Sequence, residues 1–144
     1  EFRKQIVRML RAYRPGTVVT SDPYRRYISH RDHRITGQVV LDAVYPYARD
    51  HMAYPELLEE GLEPHKVREL LFWDSEDVNF RSDITGTFDR KVVALRCHES
   101  QMGEIARTLG TSDLESWLRP LSELLAEGED FELAEAFHRV EVMR

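Results

Sequence analysis

Two histidines and a carboxylate stand close together in the segment Ser-His-Arg-Asp-His-Arg, residues 29–34. The side chains that could do chemistry there are His30, Asp32 and His33. Neutral imidazole is the commonest metal ligand, and it also titrates nearer neutral pH than any other side chain. The segment follows a short apolar run and opens an amphipathic stretch, which places it where a loop meets a helix. The spacing indicates either a metal or acid/base site, or a pair of solvated histidines at a helix start.

Four arginines surround the two histidines, at positions 25, 26, 31 and 34. A guanidinium group offers several N–H donors in a fixed geometry that suits anionic and oxygen-rich partners. The group is therefore either a solvated loop or a local attractor for an anionic or polyhydroxylated substrate.

The elements that must position the histidines are a strand before them and a helix after them. Residues 17–20 form a β-branched run between turn-forming residues, which predicts a short buried strand. Asp22-Pro23 then starts a turn. An amphipathic helix is predicted from about Asp32 to Pro46, where the proline ends or kinks it. Its predicted inward residues are Ile35, Val39, Ala43, Val44 and Tyr47.

Helices and strands alternate along the rest of the chain. Phe2 to Tyr13 predicts an amphipathic helix, and Leu70 to Trp73 predicts a second buried strand. Trp73 and Trp117 are predicted as core or helix-face anchors. The remaining predictions are an extended piece at residues 83–85, a helix capped by Thr87, a helix opened by Ser112-x-x-Glu115 and broken near Pro120, and an edge strand over residues 134–142.

Strands separated by helical patterns predict an α/β fold with helices on the faces of a sheet. The length of 144 residues is that of one domain. In open α/β sheets, binding sites lie beyond the carboxyl ends of the strands. Because residues 21–33 leave the carboxyl end of the first predicted strand, the histidines are expected at such a site.

Composition narrows the functional classes. A formal net charge of −6 argues against a nucleic-acid partner or an anionic membrane surface. No apolar run approaches the roughly 20 residues of a membrane span, and no signal peptide is visible. Cys97 is the single cysteine, so an intrachain disulfide is excluded and a reducing compartment fits the sequence. Its place on an apolar helical face predicts a small core residue. The default expectation is a cytoplasmic protein.

Three stretches together resemble the LmbE-like (PIG-L) family of zinc-dependent N-deacetylases. Residues 15–42 are similar to the family's strand, Asp-Pro loop and His-Pro-Asp-His segment with its following helix. Residues 91–101 look like its Lys…His-x-Ser-Gln helix, and residues 135–137 resemble its Glu-x-Phe strand. The family's first motif, Ala-His-Pro-Asp-Asp, is absent. The resemblance therefore implies that this chain is the carboxy-terminal half of a three-layer Rossmann-like fold, with helices on both faces of the sheet. The amino-terminal half would be missing through truncation, through cleavage or because it is a separately made subunit. The alternative is that residues 1–144 form a single α/β domain.

The resemblance also implies roles for individual residues. His33 matches a zinc ligand, with other divalent metals as alternatives. His30 matches a histidine beside the metal, expected to act as an imidazolium that donates to the oxyanion or protonates the leaving amine. Asp32 would orient an imidazole, or simply favour the helix start. Substrate-binding expectations fall on Asp22, Arg26 and His98.

Arg31 departs from the family pattern, which has proline there, and this puts activity in doubt. The first hypothesis is part of a zinc-dependent hydrolase that removes N-acetyl groups from N-acetylglucosamine-type conjugates. Its partners would be an amino-sugar or other N-acylated small molecule and the missing amino-terminal half, with a homo-oligomer left open. The alternatives are a non-catalytic interaction or regulatory subunit and, more weakly, a phosphate-ester hydrolase that uses the arginines.

Overall fold

Helices and strands alternate along the chain in the computed structural model, which describes residues 1–27, 29–110 and 113–142. The chain divides into two compact units. The first comprises Glu1–Phe80 and Phe137–Arg144, and the second comprises Arg81–Ala136.

The described residues of the first unit form three α-helices, a turn with a kink at Tyr45 and two complete strands. In chain order these are α1 Phe2–Tyr13, β1 Thr17–Ser21, α2 Arg31–Asp42, the turn Ala43–Tyr47, α3 Pro55–Glu59 and β2 Glu69–Trp73. The second unit contains α4 Phe88–Arg96, α5 Glu99–Leu109 and α6 Leu114–Leu125. Two further strands, β3 Phe80–Asp83 and β4 Ala134–Glu141, have residues in both units.

The four strands form one sheet in the order β1-β2-β4-β3. β1 and β2 are parallel, with Thr17 opposite Glu69 and Ser21 opposite Trp73. β2 and β4 are antiparallel, with Leu70 opposite Val140. This open sheet flanked by helices confirms the predicted α/β fold class.

Apolar side chains from one face of the sheet form the core of the first unit. Leu70 and Phe72 of β2 are almost fully buried against Val7 of α1 and Val40 of α2. Each such side chain contributes about 1.5–3 kcal/mol by leaving water. Because side chains alternate along a strand, Leu71 and Trp73 lie on the opposite face. The inward face of α2 is centred on Val40, whereas Ile35, predicted to face inward, is exposed.

A buried arginine holds the chain at the end of the turn Ala43–Tyr47 and just after it. Arg11 on α1 is 2% exposed. Its guanidinium donates to the carbonyl oxygens of Tyr47, Ala48, Asp50 and Ala53 at 2.8–3.2 Å. Burial lowers the pKa of Arg11, since removal from water disfavours the charged form. One nitrogen, Nη1, has no partner among the described groups. The side chain thus satisfies carbonyl groups that no helix or sheet ladder reaches.

Several sequence predictions are wrong in the second half of the chain. β4 was expected at the sheet edge but lies between β2 and β3. Its alternating pattern indicates a strand with two different faces and does not indicate how many neighbours the strand has. Helix α6 was expected to break near Pro120 but continues through it. The missing N–H of Pro120 leaves the carbonyl group of Ser116 without its helical donor, and Ser116 is exposed. The neighbouring Leu118 remains buried.

Cys97 is exposed rather than part of the core. The helix predicted through residues 91–101 ends at Arg96, and Cys97 donates its S–H to the carbonyl of Val93. Ser112 of the predicted capping box lies outside the described residues. Helix α6 begins instead after Asp113, whose Oδ1 accepts hydrogen bonds from the next turn. No helix in the described ranges has the length and apolar character needed to cross a bilayer.

Candidate functional site

The predicted histidines lie at the carboxyl ends of two parallel strands. β1 ends at Ser21, which is paired with Trp73, the last residue of β2. The N–H of Asp22 extends this pairing by donating to the Trp73 carbonyl oxygen at 3.0 Å. Helix α2 begins just beyond, so its first turn lies over the ends of both strands. This is the edge of an α/β sheet at which binding sites are found.

His33 occupies the first turn of α2, next to Trp73. Its imidazole meets the indole ring edge-on, with centroids 5.1 Å apart and an interplanar angle of 70°. The Ser21 hydroxyl donates to the carbonyl oxygen of His33 and so ties the start of α2 to the end of β1. The His33 ring therefore lies beside the strand ends, although the residue is exposed.

Gly37 allows α2 to approach β1 closely. A Cβ at this buried position would lie 2.2 Å from the carbonyl oxygen of Ser21 and 3.1 Å from Cδ of Pro23. No side chain fits in that space unless the backbone moves. Sequence reasoning missed Gly37, although a glycine inside a helical pattern signals such a close approach.

His30 is the N-cap of α2. Its Nδ1 accepts a hydrogen bond from the backbone N–H of Asp32 at 3.2 Å. In this contact Nδ1 is the acceptor, and Nε2 is the ring nitrogen left for other partners. The rings of His30 and His33 are 5.2 Å apart.

Asp32 is exposed at the second position of α2. Among the described residues its carboxylate has no hydrogen-bond or ion-pair partner, and it is not joined to either imidazole. Its place in the first turn is favoured by the positive end of the helix dipole. The arrangement thus shows a helix-start aspartate and no contact through which Asp32 would orient a histidine.

Asp22 and the two nearer arginines are held by local and distant partners. Asp22 is buried, and its Oδ1 accepts from the N–H of Tyr24 at 2.7 Å, which closes the turn after β1. Arg25 pairs with Asp74, just after β2. Arg26 pairs with Glu76 at 3.5 Å while its side chain remains largely exposed. Two of the four arginine charges around the histidines are therefore balanced by carboxylates beyond β2.

His98 belongs to the second unit. It immediately precedes α5 and is exposed. Its ring has no hydrogen-bond partner in the described parts of the chain. The single helix expected around it is instead two helices, α4 and α5, and His98 stands between them.

The donors for a metal ion are incomplete among the described residues. No three histidine, cysteine, aspartate or glutamate side chains converge on one point there. A catalytic zinc site usually takes three protein ligands and keeps one open position. The strand-end surface offers the two neighbouring imidazoles, His30 and His33. It can contribute part of a metal site and cannot form one alone.

A depression in the first unit lies at the opposite end of β2 from the histidines. It has a volume of about 810 Å³ and is lined by Glu69, Arg139 and Glu141 among others. Glu69 begins β2 and Trp73 ends it, so about 13 Å of strand separates this depression from His33. Hydrogen bonding from Thr17, followed by the charge of Arg139, lowers the pKa of Glu69. The depression contains paired charges and is distinct from the histidine site.

The sequence and the fold of this chain were compared with those of known proteins. No protein-family model matches the sequence. Over 104 residues the chain is 36% identical to diacetylchitobiose deacetylase from Thermococcus kodakarensis, a match that covers 72% of this chain and 39% of that protein.

Solved structures agree with this match. The fold is similar to that of N,N'-diacetylchitobiose deacetylase from Pyrococcus horikoshii, with a TM-score of 0.80 and 27% identity over 97% of this chain and 51% of that one. A conserved protein from Thermus thermophilus shares the fold, with a TM-score of 0.70 and 22% identity over 99% of this chain and 59% of that one. The chain thus spans between about two fifths and three fifths of the length of the proteins it matches. It is homologous to diacetylchitobiose deacetylase, which agrees with the predicted resemblance to LmbE-like deacetylases.

Proposed function

We propose that this chain forms part of a hydrolase that removes the N-acetyl group from an N-acetylglucosamine-type amino sugar. The homology to diacetylchitobiose deacetylase supports the reaction and the substrate class. The observation that carries the proposal is the placement of His30 and His33 at the carboxyl ends of parallel strands, where α2 is tied to β1. Because the chain spans only part of its relatives' length, the whole activity requires polypeptide beyond this sequence.

Zinc, with other divalent metals as alternatives, is the cofactor in this proposal. His33 would occupy one ligand position, and the remaining donors would come from polypeptide outside this sequence. When bound, such an ion acidifies a water molecule and polarises the amide carbonyl. The lone Cys97 fits a reducing compartment, and a cytoplasmic location is part of the proposal.

His30 would act as a hydrogen-bond donor to the substrate. Amide hydrolysis builds negative charge on the carbonyl oxygen, and a positioned N–H stabilises that charge. The Nε2–H of His30 is available for this, because Nδ1 is engaged with the N–H of Asp32. Protonation of the leaving amine by His30 would first require a proton on Nδ1, which breaks this helix cap. The geometry therefore favours oxyanion stabilisation over general acid catalysis for His30.

Reconstitution tests the proposal. The chain is co-expressed with the amino-terminal half of the Thermococcus kodakarensis relative, and acetate release from N,N'-diacetylchitobiose is measured with and without a chelator. His33→Ala is expected to abolish acetate release, and His30→Ala to slow it by about 10²–10³-fold. His51→Ala, at an exposed histidine in a turn of the first unit, is the control and leaves the rate unchanged. A His33→Ala complex with full activity would refute the proposal.

The isolated chain is expected to bind zinc weakly. One or two neighbouring imidazoles do not provide the three ligands of a tight site. Titration calorimetry with zinc alone measures this affinity. Tight stoichiometric binding that survives His33→Ala would show that the metal is held elsewhere.

Two observations favour a second candidate, a non-catalytic interaction subunit. The described residues lack a complete donor set, and Arg31 stands where the resembled family has proline. Under this alternative the reconstituted complex forms normally, while His33→Ala and the chelator leave its behaviour unchanged.

A further inference from the structure

The indole of Trp73 lies against His33 and outside the hydrophobic cores. Neither cluster of buried apolar residues in the described ranges includes Trp73, which is 38% exposed. Its ring meets the imidazole of His33 edge-on, with 5.1 Å between the centroids. A tryptophan usually contributes to a protein through the large apolar area that it buries. Because core burial does not account for Trp73, its contact with His33 is the property that calls for a function.

The backbone of Trp73 is held on both sides. Trp73 pairs with Ser21 at the end of the β1–β2 ladder, and its carbonyl oxygen accepts from the N–H of Asp22 at 3.0 Å. The next residue, Asp74, forms an ion pair with Arg25 in the loop that follows β1. The indole is therefore attached to a part of the chain whose place relative to β1 is fixed.

The imidazole of His33 has no hydrogen bond to either ring nitrogen within the described ranges. Its backbone is tied through the Ser21 hydroxyl, but this contact does not orient the ring. The neighbouring rings are those of Trp73 and of His30, the latter at 5.2 Å. Because His33 is exposed, its side chain would otherwise be free to change rotamer in solvent.

A histidine that binds a metal normally donates its second ring N–H to a carboxylate, a carbonyl or water, and this bond fixes the ring. Asp32, the carboxylate nearest in sequence, contacts neither imidazole. Aromatic rings prefer edge-to-face packing, and the angle of 70° between the rings of His33 and Trp73 is of that kind. The indole thus supplies a contact that restricts the imidazole where no described hydrogen bond does.

We propose that Trp73 is a positioning residue for His33, whose imidazole it holds in the orientation needed to bind a metal ion. Trp73 acts through the ring contact and touches neither the metal nor the substrate. The metal in this inference rests on the proposed function, whereas the contact between the two rings does not. Loss of a group that orients a metal-ligating histidine costs about 10–100-fold in metal affinity. Since a ring contact is weaker than a charge-assisted hydrogen bond, we expect a loss of about tenfold.

The first measurement is made on the full chain alone, by NMR of the aromatic side chains. At about pH 8.5, above the ordinary histidine pKa, every imidazole is compared in its neutral form. Overhauser contacts are expected between the ring protons of His33 and those of Trp73. In Trp73→Leu the His33 ring resonances should move towards those of His51, an exposed histidine, and in Trp73→Phe they should move less because an aromatic ring remains.

Trp117→Leu is the matched control. Trp117 is 40% exposed, close to the value for Trp73, and lies on α6 of the second unit. Its replacement should leave the His33 resonances unchanged, and thermal unfolding shows whether each variant is folded. If Trp73→Leu does not fold, the unmodified chain and Trp73→Phe decide the question. An unmodified chain without Overhauser contacts between the two rings would overturn the proposal.

The second measurement uses the full chain co-expressed with the amino-terminal half of the Thermococcus kodakarensis relative. Competition with a chelator measures the zinc affinity of the complex, without any turnover. Trp73→Leu should lower this affinity about tenfold, Trp73→Phe should restore most of it, and Trp117→Leu should not change it. For N,N'-diacetylchitobiose, Trp73→Leu should lower kcat and leave KM unchanged. A raised KM with unchanged zinc affinity would mean that Trp73 contacts the substrate, which contradicts the proposal.

The two proposals fail differently in these experiments. A complex that binds no zinc and releases no acetate refutes the hydrolase, even where the two rings are in contact in the isolated chain. A zinc-dependent complex whose zinc affinity is indifferent to Trp73→Leu refutes the positioning role and leaves the hydrolase standing.

Discussion

Replacing Gly37 with alanine tests whether α2 really lies against the end of β1. Alanine is the better helix former, so propensity alone predicts a gain of up to about 1 kcal/mol. The new Cβ, however, would lie 2.2 Å from the carbonyl oxygen of Ser21. That oxygen belongs to the backbone of a paired strand and cannot rotate away. Either the first turns of α2 must lift from β1 or the end of β1 must shift.

Overpacking in a closely packed site costs about 1–3 kcal/mol, and a clash with backbone belongs at the upper end of that range. After subtraction of the propensity gain, Gly37→Ala should destabilise the protein by about 2 kcal/mol. Gly103 in α5 provides the matched control, because a Cβ there meets nothing within 4 Å. Gly103→Ala should stabilise by about 0.5–1 kcal/mol, so the two variants should differ by about 3 kcal/mol.

Urea unfolding followed by circular dichroism and tryptophan fluorescence measures both changes. Trp73 lies in the first unit and Trp117 in the second, so backgrounds that keep only one of the two tryptophans assign a change to its own unit. In the reconstituted complex, Gly37→Ala should also reduce acetate release, because lifting α2 displaces His33. A Gly37→Ala variant as stable as the original chain would refute the reasoning, since it would mean that α2 does not approach β1 this closely.

Three further changes have defined expectations. Arg31→Pro should stabilise the chain by about 0.4–1 kcal/mol relative to Arg31→Ala in thermal unfolding. Position 31 is the first residue of α2, where proline fits, and His30 already has the extended backbone that precedes a proline, with φ −57° and ψ 131°. Equal melting temperatures of the two variants would contradict this expectation. Arg11→Leu should cost about 3 kcal/mol in urea unfolding, because it removes the four hydrogen bonds that the guanidinium donates to inward carbonyl groups. A neutral outcome would show that water replaces the guanidinium. The hydrogen bond from Arg8 lowers the pKa of Glu60 below the ordinary carboxyl value near 4.5. The pair therefore stabilises the fold fully at pH values above 4.5, and this stabilisation is lost as the pH falls through the lowered pKa of Glu60. Urea midpoints from about pH 6 to about pH 3 should therefore fall less steeply in Glu60→Gln, and parallel curves would exclude the pair as a contributor.

Local patterns in the sequence predicted the elements of the first unit well. The helix over residues 2–13 and the strands near residues 17–20 and 70–73 occur almost as predicted. Each is specified by the spacing of its own apolar residues, so no distant contact is needed to identify it. The position of β4 was missed because strand order depends on partners far along the chain.

The candidate site was predictable to the extent that it is local. His30 and His33 are three residues apart at a helix start, and the structure places their rings 5.2 Å apart at a strand end. The ion pair of Arg26 could not be predicted from local spacing, because its partner Glu76 is 50 residues away in the sequence. Trp73 was predicted as an anchor, yet its ring is 38% exposed beside His33, a position fixed by the pairing of β1 with β2.

The pairing of β1 with β2 also determines which side chains can share one location. Ser21 holds the backbone of His33, and Asp22 holds the backbone of Trp73, so imidazole and indole are attached to adjacent strand ends. A slip of one residue between the strands would turn Trp73 to the opposite side of the sheet. Substitutions at the far end of these strands, at Thr17 or Glu69, could therefore disturb the histidine site without touching it.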